Sequence, residues 1–310
     1  MGAHGVVLRR IGAHGTGLRR TRAAFFAALA ACAWIWALPA HADLDDLKVR
    51  LTADYTWDDN VSRGIEGQRL HDRFASARIG LSLPLNLTAR TRLMLTASGG
   101  GEWFDKYDGL DRAFAEIQGE LQYRGSGKFG APIYGLFLRT GQDWYDTTLR
   151  DGYRASIGLT LRKPATDRVF LFGSIGYNRR DGKSEVFDNE ELFVRGTLDY
   201  SVSRRNSVYF GLEYRYGDSV STGLPALAFL DIADAVVADD VFTDRFAYKT
   251  RSHTGILTLG YNFAFAERHA LDFSYRGIYS RPEEQPPSNV SDDDIYYYDN
   301  QFTVSYLFRF

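Results

Sequence analysis

The sequence predicts an all-β fold: a twelve-stranded antiparallel transmembrane β-barrel with short periplasmic turns and longer extracellular loops. Three observations predict it. Hydrophobicity repeats with a period of two from residue 48 to the C-terminus, long and short connections alternate, and the last segment is an aromatic stripe that ends the chain on Phe310. The composition agrees. Of 310 residues 15% are aromatic, and 30 glycines stand against two methionines, which favours pleated strands and turns over helices. The mean hydropathy of -0.29 excludes a helical bundle in lipid but not a barrel, in which apolar and polar residues alternate and average out.

Residues 1–42 precede the pattern and read as a secretory signal peptide. Arg9, Arg10, Arg19, Arg20 and Arg22 come without any acid, then an apolar run from Ala23 to Leu38, then Pro39-Ala40-His41-Ala42. The apolar run is shorter than the roughly 20 residues of a spanning helix, so cleavage near Ala42 and a mature start at Asp43 are expected. Thr21-Arg22-Ala23-Ala24 after the second arginine pair lacks a twin-arginine pattern, which leaves the general secretion route. Leu29-Ala30-Ala31-Cys32 resembles a bacterial lipobox, yet the segment stays apolar through Trp34, Ile35, Trp36 and Leu38, whereas lipidated proteins turn polar soon after the cysteine. Cys32 is the one cysteine, so the mature chain is expected to hold no disulfide and no cysteine-bound metal. Loss of the leader's five arginines leaves a net charge of about -7, which gives no electrostatic footprint for nucleic acid.

The first strand begins at residue 48. Val49, Leu51, Ala53, Tyr55 and Trp57 alternate with Arg50, Thr52, Asp54 and Thr56, as one apolar and one polar strand face require. The same alternation marks about 75–83, 92–103, 113–123, 133–145, 153–162, 168–178, 191–202, 207–217, 248–263, 270–280 and 297–310. Most of these match the roughly 9–11 residues of a tilted membrane-crossing strand. The longer connections expected are 58–74, 179–190, 218–247 and 281–296; those near 84–91, 124–131, 163–167, 203–206 and 264–269 are short.

The closing segment places Phe302, Val304, Tyr306, Phe308 and Phe310 on one face and Gln301, Thr303, Ser305 and Arg309 on the other. It resembles the C-terminal strand of bacterial outer-membrane β-barrel proteins. That resemblance implies recognition by the barrel-assembly machinery, location in the bacterial outer membrane, and lipid bilayer and lipopolysaccharide as surroundings. The opening stretch Ala53-Asp54-Tyr55-Thr56-Trp57-Asp58-Asp59-Asn60-Val61-Ser62-Arg63 looks like the start of surface lipoprotein assembly modifier barrels. Those proteins carry a helical-repeat domain before the barrel, and about five residues separate Asp43 from the first strand here, so their export activity is not carried over.

With the apolar parity facing lipid, the lumen receives ten basic and nine acidic residues between Arg50 and Arg309. Strand direction places Arg78, Glu116, Glu120, Arg139, Glu213 and Arg276 near mid-height, as a charged constriction of a porin-like passive channel for small polar solutes or as ion pairs that close a non-conducting, structural or surface-interaction barrel. A channel for acidic sugars or phosphate would be expected to show a basic excess, which the count lacks. Outer-membrane phospholipases are also twelve-stranded, with a His two residues before Ser-Asn-Gly; the contexts of His71, His253 and His269 match none of this, and no enzyme, cofactor or metal site is expected. Asp292-Asp293-Asp294 with Glu283 and Glu284 lacks the ligand spacing of a calcium loop, and Tyr296, Tyr297 and Tyr298 read as an aromatic girdle. In the longest connection Leu224, Leu227, Leu230, Ala233 and Val237 recur at helix-like intervals, so a short amphipathic helix after Pro225 is expected to lie across the mouth as a partial lid or to meet a surface partner.

Overall fold

The computed structural model describes residues 47–225, 227–285 and 296–310. The segment expected to be a signal peptide, with Cys32, and the acidic run Asp292-Asp293-Asp294 lie outside the described residues. The chain forms β1 (Lys48–Asp58), β2 (Asp72–Asn86), β3 (Thr91–Phe104), β4 (Arg112–Arg124), β5 (Ile133–Tyr145), β6 (Gly152–Pro164), β7 (Val169–Gly182), β8 (Asn189–Ser201) and β9 (Asn206–Gly223), then helix α1 (Leu227–Ile232) and the short strand β10 (Ala235–Ala238), and finally β11 (Phe246–Ala266), β12 (His269–Pro282) and β13 (Tyr297–Arg309).

Twelve of these strands, all but β10, form one closed antiparallel barrel. Each pairs with its sequence neighbour, β9 pairs with β11, and β13 returns to β1 in a register that runs from Arg50 opposite Arg309 to Asp58 opposite Gln301. At the seam the Val49 and Phe310 backbones exchange hydrogen bonds of 2.9 and 3.1 Å. No edge is left open in the barrel, as backbone groups surrounded by hydrocarbon require.

β6 shows how the sequence builds the wall. Tyr153, Ile157, Leu159 and Leu161 are exposed on the outside, while Gly152, Ser156, Gly158 and Thr160 are buried on the inside. The same outward apolar face continues through Leu136, Leu138, Ile175, Leu192, Val194, Phe210, Leu212, Phe273, Phe302 and Val304. Water would not tolerate so continuous an apolar belt. Gly158 and Gly176 face each other across β6 and β7, with the rings of Phe137 and Phe193 laid over them. A Cβ on Gly158 would run into the Ile175 carbonyl and come within 2.8 Å of the Phe137 ring. Gly158→Val should therefore lower the urea midpoint of unfolding, a loss of about 1–3 kcal/mol from overpacking, whereas an unchanged midpoint would show that the β6–β7 contact yields.

One rim carries the connections 87–90, 125–132, 165–168, 202–205 and 267–268, the other 59–71, 105–111, 146–151, 183–188, 224–245 and 283–296. Several strands run further toward the second rim than their apolar pattern does. β7 continues to Gly182 and β8 starts at Asn189, so the connection expected over 179–190 shrinks to 183–188; polar cross-strand pairs such as Arg179 with Glu190, 3.2 Å apart, carry the ladder beyond the apolar belt. The segment 218–247 departs most from expectation. β9 extends to Gly223 and β11 begins at Phe246, the helix holds six residues, and β10 adds a short pairing to β11 with Val237 opposite Ala247.

Candidate functional site: the barrel lumen

The inward face is charged and organised in three tiers along the barrel axis. Nearest the short-turn rim, Glu120 is almost fully buried and accepts hydrogen bonds from Arg162, from the Thr160 hydroxyl at 2.7 Å and from Gln122 Nε2 at 3.0 Å; Gln122 in turn accepts from Arg92. Across the lumen Tyr209 donates to Asp272 at 2.9 Å. These groups satisfy one another, as buried polar atoms must.

The middle tier joins most of the charges expected at mid-height. Glu116 lies 3.9 Å from both Arg139 and Arg154, and Glu213 lies 3.8 Å from Arg195 and also bonds Arg215. Arg78 stacks over the Phe114 ring with its guanidinium 4.6 Å from the centroid. Arg276 reaches Gln301 at 3.4 Å and stands within electrostatic range of Glu213 and Arg215. Of the six constriction residues read from the sequence, Arg78, Glu116, Arg139, Glu213 and Arg276 share this tier, while Glu120 is bound up in the tier below with Arg162.

Toward the long-loop rim, Asp143 is fully buried and faces Arg154 at 3.0 Å, Arg112 at 3.4 Å and Arg180 at 3.9 Å; Arg112 also clamps Glu102 with both Nε and Nη2. On the opposite wall Asp58, Asp59 and Asp299 bring carboxylate oxygens within 4.8 Å of one another, a spacing that could hold a metal ion. Their oxygens accept from the Asn60 backbone, from Gln301 Nε2, and from the Asn300 backbone and side chain. Arg63 stands beside them as a nearby counter-charge.

The second-rim connections interlock above this tier, and the chain between β9 and β11 crosses them. Arg150 projects from the β5–β6 connection, donates to Asp239 at 2.7 Å and Asp240 at 2.6 Å, and lies between the rings of Phe187 and Phe242. Asp239 is fully buried and also accepts from Thr222. Phe242 is buried edge-on against Tyr107, and Arg245 donates to the Gln68 carbonyl. Among the residues expected to form a lid, Val237 packs against the cluster of Val186, Phe187 and Ala247, but Leu224 and Leu230 are about half exposed and Ala233 is intermediate; the side chain of Leu227 lies outside the described residues. The strap between β9 and β11 is thus held to the other rim connections through 237–245 more than through the described residues of the helix.

Asp111, at the start of β4 and outside the strand, supports this rim through its bond from the Phe104 backbone at 2.7 Å. Burial, with Asp146, Asp108 and Asp72 nearby, raises its pKa to about 6. A carboxyl group with a raised pKa stabilises the folded loop when protonated, and the benefit is lost as pH rises through about 6. Hydrogen exchange in residues 105–111, corrected for its intrinsic pH dependence, should slow when pH falls from 7 to 5; Asp111→Asn should remove the difference.

Between the strap and the middle tier lies a cavity of about 610 Å³. Phe242, Phe187 and Arg150 line one end, and Glu116, Arg139 and Arg276 the other. The three histidines in the described residues face elsewhere: His71 bonds Lys106, His253 bonds Tyr214, and His269 bonds Tyr306, each at 2.6 Å.

No family model and no curated protein sequence matches the chain. Among solved structures, the fold is similar to an outer-membrane channel from Pseudomonas putida F1, with a TM-score of 0.55 and 12% identity over 88% of this chain and 99% of that one. The KdgM porin aligns at 0.43 with 10% identity over 84% and 98% of the two chains, and the NanC porin at 0.42 with 9% identity over 83% and 98%. The first likeness establishes the architecture of an outer-membrane β-barrel. The likeness to surface lipoprotein assembly modifiers rests on the opening stretch alone and finds no further support here.

Proposed function

We propose that the chain is a channel of the bacterial outer membrane that passes small polar solutes and is gated by the connection between β9 and β11. The observation that carries this reading is the charged cavity inside the barrel, whose volume of about 610 Å³ falls in the range of ligand sites. A leader with the order of a secretory signal, an apolar outer belt and the aromatic closing strand support placement in an outer membrane after assembly by the barrel-assembly machinery, with lipopolysaccharide around the outer rim. No catalytic role is part of the reading.

The alternative is a non-conducting barrel that serves as structure or as a surface-interaction module. Two features favour it: the satisfied Glu120 network near one end and the Arg150 clamp at the other. Deleting residues 224–241 separates the readings. If the strap gates a pore, the deletion should raise conductance in planar bilayers. Unchanged conductance in a folded deletion variant would place the strap outside the pathway and make binding of a surface partner the better account.

A further inference from the structure

The luminal charges balance in number but not in exposure. In the middle tier the acid side chains are tucked against the wall, Glu116 at 14% and Glu213 at 11% exposure, whereas Arg139, Arg154, Arg195 and Arg215 are 32–42% exposed. Arg78, Arg154 and Arg195 lie close enough to Arg139 to repel it, and Arg215 and Arg63 repel Arg276 in the same way. Six arginines, Arg78, Arg139, Arg154, Arg195, Arg215 and Arg276, thus stand at this level against Glu116 and Glu213, with two further acids within reach: Asp143, 3.0 Å from Arg154, and Glu191, 3.2 Å from Arg215. The contacts to Glu116, and that of Arg195 to Glu213, stretch to 3.8–3.9 Å because each carboxylate serves more than one guanidinium. Arg139, Arg195 and Arg276 find their remaining hydrogen bonds at 3.4 Å on the neutral oxygens of Ser156, Ser174 and Gln301. Aromatic faces hold two of the cations in place, Phe114 under Arg78 and Phe193 beside Arg195.

From this arrangement we infer that the middle tier is a binding ring for small multivalent anions, carboxylate or phosphate, entering by way of the cavity. The inference rests on the channel reading for its biological sense, and it names the solute class that reading leaves open. Guanidinium forks match planar carboxylates and phosphates bidentately, and loosely paired arginines lose little when an anion takes the place of a shared acid. A cation meets the exposed arginines first and is repelled. The missing basic excess in the sequence count is explained by height: the other acids sit mainly in the outer tiers, Glu102 on Arg112, Asp143 shared by Arg112, Arg154 and Arg180, and Glu120 on Arg162.

The test uses the full-length protein in detergent and in planar bilayers, with Arg139→Gln and Arg195→Gln combined in one variant whose folding is checked by its heat-modifiable gel mobility. Calorimetric titration with citrate, pyrophosphate and, as a cationic counterpart, spermidine measures binding without any need for conduction. Citrate or pyrophosphate should bind and spermidine should not, and the double variant should weaken anion binding about tenfold or more, as loss of charge-assisted pairs implies. Binding of citrate alone would assign the ring to carboxylates, and of pyrophosphate alone to phosphates. In bilayers under a KCl gradient the reversal potential should show an anion preference that the double variant reduces. Anion binding without conductance would keep the ring and overturn the channel; conductance without anion binding or preference would keep the channel and overturn the ring. Binding that the double variant leaves unchanged would also overturn it.

Discussion

Arg150→Ala is expected to turn a rarely open barrel into a frequently open one. The guanidinium holds Asp239 and Asp240 together, and its removal leaves the fully buried Asp239 without its main counter-charge. Breaking a buried pair from one side costs about 3–5 kcal/mol, and here that cost falls on the docked strap. Undocking exposes Asp239 to water and relieves it, so the strap should leave the mouth while the barrel stays closed on itself. The stacking of Arg150 on Phe187 and Phe242 is lost in the same step. A shift of that size changes a closed-to-open ratio by roughly two to nearly four orders of magnitude. Open probability in single-channel records and protease cleavage within 224–245 should rise together. Arg150→Lys, which keeps the charge but not the fork, should fall between the two. Cleavage without a change in conductance would separate strap from pore.

Deleting Phe310 should cut the yield of folded barrel by about tenfold or more, because a barrel whose last strand fails to close leaves unpaired backbone in hydrocarbon. The Phe310 backbone completes the β1–β13 seam through Val49, and its ring is 70% exposed on the outside beside Arg268. Phe310→Ala keeps the backbone bonds and removes only the ring. If the ring is the assembly signal, both variants should fail in cells and Phe310→Ala should still fold from denaturant into detergent. Normal outer-membrane yield of the deletion would remove the aromatic terminus from the account.

The wall was legible in the sequence and the depth of each charge was not. A period of two says which face a residue takes, and the closure of β13 on β1 was readable from the even strand count and the aromatic stripe from Phe302 to Phe310. Arg112 and Arg180 escaped the luminal set because their strands run past the ends of the apolar pattern: β4 begins at Arg112 and β7 ends at Gly182. Arg63 and Arg150 lie in connections, where parity gives no direction. Glu120 looked equivalent to Glu116 from spacing alone. Burial against Thr160 and Arg162 sets it apart, and that depends on cross-strand register. In the strap the leucine spacing pointed to a helix, which forms over Leu227–Ile232, but the segment is held also by contacts that the spacing did not show: Asp239 and Asp240 with Arg150, Arg245 with Gln68, and Phe242 buried against Tyr107. Short polar side chains in a connection carry no periodic signal.

The central claim is that the lumen conducts, and single-channel recording of the purified wild-type chain in planar bilayers tests it most directly. The account predicts discrete conductance steps of low open probability, raised in Arg150→Ala and in the deletion of residues 224–241. Silence from all three proteins across a range of voltages, with folded barrels verified in the same membranes, would contradict it.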